Sequence, residues 1–377
     1  MLIGYKFQFL SPLHIGRRGI GVEEVEEKRV PSDTIYGAII YALANIYGGD
    51  EVSHIIDRFM NRDPPFILSS TLPLICSDGQ EMILVHAPLS FPHDILKLPN
   101  LSEDFPRLMV LRGRLLKILK DISFTDLDFI KEVLLGKEIS VEEVNIKKRI
   151  VRLRIDDKYY TADKDKGVLV REKLIDIIPK ILWKTEKRVR NVVDRNTKAT
   201  DIYYLGLLHL MTPHVLLVDI DRNYIGKFEA ALKYLSEAGL GGERAYGFGR
   251  FSFTKLKKDI IMKIEELFKI SNNNAIISQS IYSPTDHEWR IIQDFKSLFF
   301  YTGFFKGGYG GRSIIRSSTL CLIEGSTFPS NLLQNKKSSP NLQLRPIGRC
   351  VIDKIKGEQV IRIFFAFYIP WRVIHAK

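Results

Sequence analysis

Residues 2–9 alternate apolar and polar side chains, the period-two signature of a half-buried strand, and run into the turn Ser11-Pro12-Leu13-His14-Ile15-Gly16-Arg17-Arg18-Gly19. After an acidic stretch at 23–27, Pro31-Ser32-Asp33-Thr34 opens a helix that extends to about Tyr47, with Ser32 or Asp33 as its N-cap. That helix is apolar nearly all round, which predicts burial. Gly48-Gly49-Asp50 reads as its C-terminal stop, with glycine in the left-handed conformation. Residues 66–76 and 82–87 predict a strand pair around Ser77-Asp78-Gly79. Residues 101–136 are mostly helical in pattern, and 150–155 read as a strand. The segment 145–198 has several alternating patches and no sustained helical stripe, which predicts a protruding hairpin or ribbon. A strand at 215–220, a helix with Phe228, Ala231, Leu232 and Leu235 on one face, and a strand from about 248 close a first domain over 1–254. Lys255 to Asn274, ending in an Asn triplet, marks the boundary. The second unit, 275–377, is β-rich, with strand-like runs at 298–305, 313–323 and 360–368 and a polar loop at 326–341. The overall expectation is an α+β chain.

Charge narrows the range of partners. The 377 residues carry a net charge of +12, and 45% are hydrophobic, enough to fill real cores. Segment 145–198 alone holds 17 Lys and Arg against 8 Asp and Glu, so most of the excess comes from about one seventh of the chain. Such concentration favours a polyanion-binding surface over a merely solvated face. Cys76, Cys321 and Cys350 are too few and scattered for a disulfide framework or zinc knuckle, so a reduced cytoplasm is expected. No secretory leader is read at the start, and the apolar stretches 35–47 and 202–218 are too short or too interrupted to span a bilayer. A membrane partner is therefore not expected.

The chemistry concentrates in Gly239-Leu240-Gly241-Gly242-Glu243-Arg244-Ala245-Tyr246-Gly247-Phe248-Gly249-Arg250-Phe251. Peptide N–H groups without side-chain cover suit phosphate oxygens. Arg244 and Arg250 bring charge, and Tyr246 and Phe248 bring stacking faces. A Walker A loop would end in Gly-Lys-Ser/Thr, and a dinucleotide fingerprint would run strand to helix; here a helix precedes and a strand follows. An RNA-binding loop remains, beside the plainer reading of a helix-to-strand turn that needs only glycine's φ freedom. Gly307-Gly308-Tyr309-Gly310-Gly311-Arg312 is a second glycine–arginine turn, equally a flexible hairpin tip. His14 is a candidate base contact at the end of the first strand, whereas His209, in an apolar run, reads as a core histidine. Asp156-Asp157 and Asp286-His287-Glu288 lack partners at ligand spacing and read as solvated turns, so no metal and no cofactor is expected.

These residues carry a resemblance. Gly-apolar-Gly, five residues, Gly-apolar-Gly resembles the glycine-rich loop of the RAMP proteins of CRISPR systems. Ser11 to Gly16, Pro31 to Ile39 and Arg188-Val189-Arg190-Asn191-Val192-Val193-Asp194-Arg195-Asn196-Thr197 look like the branch that binds the guide's 5′ handle in type III-A, or Csm, effector complexes. The match runs along the whole chain, less crisply in its last third, where Arg316 and Glu324-Gly325-Ser326 are the parts carried over. The resemblance implies two ferredoxin-like (RRM-like) units, a protruding thumb hairpin at about 145–200 and a non-catalytic role. CRISPR RNA would be held through its single-stranded 5′ handle. The large polymerase/cyclase-like subunit and a backbone RAMP subunit would dock, and target RNA would be met indirectly. Carried over residue by residue, Gly241, Gly242, Arg244, Tyr246, Gly247 and Phe248 would wrap the handle, with Arg250, Arg17, Arg312 and Arg316 adding charge. Arg188, Arg190 and Arg195 would position the spacer side. The helix start at Ser32, Asp33 and Thr34 would offer N–H groups to a phosphate, with Asp33 opposing unless occupied as the cap.

The competing expectation is a metal-independent endoribonuclease of the same superfamily that processes CRISPR RNA. Its general base tends to be a histidine in the first helix, and SDTIYGAIIYALANIY has none. A target-cleaving backbone subunit would need an acid near the scissile phosphate, for which Asp33 is the candidate. The handle-binding subunit of a type III-B complex is a further alternative.

Overall fold

The computed structural model describes residues 1–18, 24–26, 28–77, 79–89, 96–97, 105–193, 200–294, 301–309, 315–334, 341–355 and 358–373. Strand Leu2–Phe9 forms where expected and sits between His214–Ile220 and Phe251–Lys255, antiparallel to both. Its inward residues Tyr5 and Phe7 are fully buried, and the Phe7 ring lies 4.7 Å from that of Phe251. Phe66–Leu68 and Leu72–Ser77 pair with the far side of His214–Ile220. Read by sequence, these elements run strand, helix, strand, strand, helix, strand. In space the strands lie in the order fourth, first, third, second. Helices Ser32–Tyr47 and Ile225–Ala238 pack on one another and on this sheet through Ile35, Tyr36, Ile39 and Phe228, Ala231, Leu232, Leu235. The first helix is not buried all round: Tyr41, Ile46 and Tyr47 stay exposed on its outer side. Gly48 ends it with φ 85°, although its ψ of 179° lies outside the left-handed helical region.

The sheet then continues to twelve strands. Leu72–Ser77 pairs with Gln80–His86, as the hairpin signal predicted, and Phe124–Asp126, Val168–Arg171, Lys158–Asp163, Ile150–Ile155, Ile139–Asn145 and Leu96–Lys97 follow in order. Two of these junctions are parallel, so the sheet is mixed. The expected helical stretch 101–136 resolves into helices Phe105–Leu119 and Leu127–Leu134 around strand Phe124–Asp126. The basic segment is likewise not one ribbon. Its first part, through Arg171, belongs to the sheet, because Val151, Leu153, Ile155, Tyr160 and Ala162 are all buried there. The free hairpin is later and longer: Trp183–Val193 against Thr200–Leu210, with Trp183 opposite Leu210.

Helix Lys258–Lys269 fills the expected boundary and buries Ile260, Ile264 and Leu267 in the core shared by both halves. Beyond it, Ala275–Ser278 pairs with Thr327–Pro329 and Tyr368–Trp371, and Gly303–Tyr309/Ile315–Leu322 and Gly348–Ile355/Glu358–Phe365 form hairpins. The start of the expected polar loop at 326–341 is therefore a strand and a short 3₁₀ turn, because Phe328 and Leu332 are buried. Asp286-His287-Glu288 is no solvated turn either. It opens helix Asp286–Asp294 as a capping box: the Thr285 N–H donates to Glu288 Oε2 at 2.9 Å, and the Glu288 N–H donates back to Thr285 Oγ1 at 3.3 Å. The buried Glu288 carboxylate also accepts from the Tyr282 hydroxyl.

A polar joint connects the halves. The first helix is capped at Pro31, not at Ser32 or Asp33. Ser32 is buried; its N–H donates to Ser70 Oγ and its Oγ accepts from the Ile281 N–H, both at 3.0 Å. Ser70 Oγ in turn donates to Glu324, which pairs with Arg29. Burial raises the Glu324 pKa, but Arg29 and Ser70 outweigh it and hold the carboxyl well below the usual carboxylate range. A depressed carboxylate contributes stability above its unfolded pKa of about 4.5, and that contribution is lost as pH falls below it. Glu324→Gln breaks the buried Arg29–Glu324 ion pair, so it is expected to destabilise by roughly 3 kcal/mol and to flatten the stability loss below pH 4.5. Urea unfolding as a function of pH measures both.

Candidate nucleic-acid interface

The helix Ile225–Ala238 stops at Gly239, with φ 86° and its N–H on the Leu235 carbonyl at 2.8 Å. The chain then folds back on the turn that leaves the first strand. Leu240 N–H donates to Gly249 O, Gly242 N–H to His14 O, Gly249 N–H to Pro12 O, and Arg250 N–H to Ser11 Oγ, all at 2.8–2.9 Å. This fit dictates glycine. A Cβ on Gly249 would stand 1.9 Å from Leu240 O, and one on Gly241 would stand 2.6 Å from His14 O. Gly247 differs: its φ is 79°, yet nothing lies within 4 Å of the place a Cβ would take. The backbone N–H groups of Leu240, Gly242, Gly249 and Arg250 are thus used within the protein, and the phosphate cradle expected of them is not open there.

What the loop presents instead is side chains, and the hairpin meets them. Phe248 is buried against Leu205 and Leu207 of the hairpin, so it anchors the hairpin and offers no free stacking face. The Arg190 guanidinium lies 4.1 Å from the Tyr246 ring centroid, and Arg188 lies 5.6 Å from that of Phe248. Arginine planes stack on aromatic faces while keeping their donors outward. Arg188 also bonds Glu186 Oε1 at 2.9 Å, and His209 Nε2 contacts Glu186 Oε2 at 2.8 Å. His209 is therefore a half-buried hairpin residue, not a core histidine. Tyr246 is 63% exposed. On the other side Arg244 stacks over Tyr41 of the first helix at 4.7 Å, a partner that sequence reading missed although an exposed tyrosine in so apolar a helix marks it. Arg250 is exposed and pairs with Glu237 at 3.0 Å. His14 joins loop and hairpin: it pairs with Gly242, its Nδ1–H donates to Gly206 O at 2.8 Å, and Leu13 and Leu208 exchange two backbone bonds beside it.

The structure thus brings together His14, Arg188, Arg190, Gly241, Gly242, Arg244, Tyr246, Gly247, Phe248 and Arg250. It separates a second group at the polar joint. Ser32 is buried with its N–H taken, which removes it as a phosphate donor, while Asp33 and Thr34 are half-buried beside it. Burial lowers the Arg316 pKa, opposed by the charge of Asp33 close by. Arg17 lies on strand Gly16–Arg18, paired with Glu24–Glu26; Arg195 and Arg312 lie outside the described residues. Asp156 occupies the expected turn, with φ 54°, and pairs with Lys137. Among the described residues no His, Cys, Asp and Glu group is placed to hold a metal, and no helix is long and apolar enough to cross a membrane.

The profile of the RAMP superfamily matches residues 6–252. Among solved structures, a chain of the crystal structure of the Csm3–Csm4 subcomplex in the type III-A CRISPR-Cas interference complex is similar, with TM-score 0.57 and 18% identity. The alignment covers 98% of this chain and 99% of that one. A chain of the Csm1–Csm4 cassette in complex with cA4 gives TM-score 0.51 at 14% identity, covering 100% and 99%. At such identities the likeness is one of fold. No curated protein matches.

Two substitutions separate the roles of the glycines and the anchor. Gly249→Ala is expected to lower the melting temperature far more than Gly247→Ala, whose cost is limited to the left-handed backbone, about 1–2 kcal/mol. Phe248→Ala is expected to cost roughly 3 kcal/mol or more and to expose residues 183–210 to protease, as limited proteolysis will show.

Proposed function

The chain belongs to the RAMP superfamily, and from that membership we propose that it is a non-catalytic RNA-binding subunit of a type III-A CRISPR effector complex that holds the guide's 5′ handle. The observation that carries this reading is the arginine–aromatic strip, in which Arg188 and Arg190 of the hairpin lie over Phe248 and Tyr246 of the glycine loop. Single-stranded RNA is held by cationic grooves with stacking faces, and its unpaired bases are open to contacts at their edges. Exposed Tyr246 supplies a face, and Arg188, Arg190, Arg244 and Arg250 supply charge. The strand order fourth, first, third, second, with two helices on one side, supports reading the first half as a ferredoxin-like unit and hairpin 183–210 as its thumb. The fold shared with chains of Csm3–Csm4 and Csm1–Csm4 assemblies supports a backbone RAMP subunit and the large polymerase/cyclase-like subunit as docking partners.

A holding role, not a cutting one, is supported by a first helix without histidine and by the state of its innermost tyrosine. Tyr36 is buried, accepts from the Leu68 N–H, and has its pKa pushed up by burial. A base that attacks through a 2′-OH must reach it.

Native co-purification followed by sequencing of bound RNA is expected to recover guides sharing one repeat-derived 5′ end. Heterogeneous ends, or cleavage of repeat RNA by the isolated chain, would overturn the proposal. Removing Arg188 and Arg190 is expected to flatten the log K against log salt slope by roughly 0.7 for each phosphate no longer neutralised. Tyr246→Ala is expected to cost ~1–3 kcal/mol of affinity if one base stacks there.

A further inference from the structure

A cavity of about 680 Å³ opens at the root of the hairpin, between strand Gln80–His86, the turn at 164–167 and residues 323–324. Small-molecule sites commonly run from about 300 to 1,000 Å³. One wall is aromatic: the His86 and Phe124 rings lie 4.9 Å apart, and Trp183 meets Phe124 at 6.3 Å. Deeper in, Glu324 is ionised through its pairing with Arg29. At the rim Lys28 and Lys120 are exposed, and Lys28 Nζ sits 5.2 Å from the Trp183 ring centroid. Among the described residues neither lysine meets a carboxylate, whereas Lys164 pairs with Asp121, and Lys166 donates to the carbonyls of Ile175 and Ile178.

His86 gives this cavity an unpaired polar atom. The residue is only 5% exposed, yet its Nε2 has no hydrogen-bond partner among the described residues. Buried polar atoms are nearly always paired, so an orphan calls for an explanation. Burial, and then the charge of Arg29, push the imidazole pKa down to about 3, so the ring is neutral and presents one donor and one acceptor. That mixture matches the edge of a nucleobase and not a phosphate. Glu324 beside it is fully buried, its oxygens accepting from Ser70 and Arg29, so it backs the site without facing a ligand. The two exposed lysines of the lining are the cations that a phosphate would meet at the solvent side.

We propose that this cavity binds one nucleotide, with its base along the Phe124–Trp183 wall and its edge toward His86, and with its phosphate between Lys28 and Lys120. The chemistry is shared by a free nucleoside monophosphate and by one residue of an RNA strand. It does not depend on the guide-holding role, and a monophosphate titration tests it without any guide.

The test is the fluorescence of Trp183 in the full chain, titrated with each of the four nucleoside monophosphates, with inorganic phosphate and with a short single-stranded RNA. A saturable change that is absent in Trp183→Phe is expected, weakened at least fivefold in Lys28→Glu/Lys120→Glu, a rim variant that leaves the core intact. Saturation by a monophosphate assigns the site to free nucleotide; saturation by the oligonucleotide alone assigns it to a strand. His86→Phe, which keeps a buried ring, is expected to erase any preference among bases. The same response to inorganic phosphate, no saturable response to any probe, or unchanged base preference in His86→Phe each overturns the proposal.

Discussion

The close backbone contact between the glycine loop and the turn after the first strand sets the geometry of everything that faces nucleic acid. Gly241 and Gly249 have no room for a side chain, because the carbonyls of His14 and Leu240 occupy it. That approach seats Phe248, Phe248 holds Leu205 and Leu207 of the hairpin, and the hairpin then delivers Arg190 to Tyr246. The order of causation runs from a backbone that lacks Cβ atoms to a cation stacked on an exposed ring. Charge alone would not produce it, since a flexible arginine has many equivalent solvated positions.

A second constraint is the joint at Ser32, Ser70, Glu324 and Arg29. It satisfies the start of the first helix with side chains from elsewhere, where a local cap would have sufficed for an isolated helix. The cost in desolvation is offset by hydrogen bonds and an ion pair that cross between the two halves, which share one apolar core from Leu2 to Trp371. Buried polar networks of this kind hold a unique arrangement when every member is satisfied.

The sequence made the first strand, the first helix, the Leu72–Ser77/Gln80–His86 hairpin and the helix before the glycine loop legible, because each buries one periodic face. It exposed the glycine loop as a special backbone but not which of its N–H groups are open: pattern cannot tell an N–H free for phosphate from one reserved for Pro12 or His14. The basic segment 145–198 read as one ribbon because alternation looks alike in a hairpin and in a strand buried in a sheet; only burial at Val151 and Tyr160 separates them. Glu288 and Ser32 were misread because their partners, Tyr282, Gly348 and Ile281 among them, are fixed by tertiary contact. The pairing of Arg244 with Tyr41, some two hundred residues apart, is marked locally only by a tyrosine in an apolar helix, which does not say what it pairs with.

The position of strand Leu2–Phe9 between His214–Ile220 and Phe251–Lys255 also sets a schedule for the ribosome. At about 5–20 residues per second, the first strand waits on the order of ten to fifty seconds before its last neighbour is synthesised. During that interval Tyr5 and Phe7 have no sheet to enter, and the sheet closes only after an intervening stretch that contains the whole basic segment and the hairpin. The hairpin's own strands, by contrast, lie next to each other along the chain and pair as soon as they emerge. The surface that stacks arginine on tyrosine can therefore be assembled only when the glycine loop arrives, after both strands of the hairpin have been synthesised.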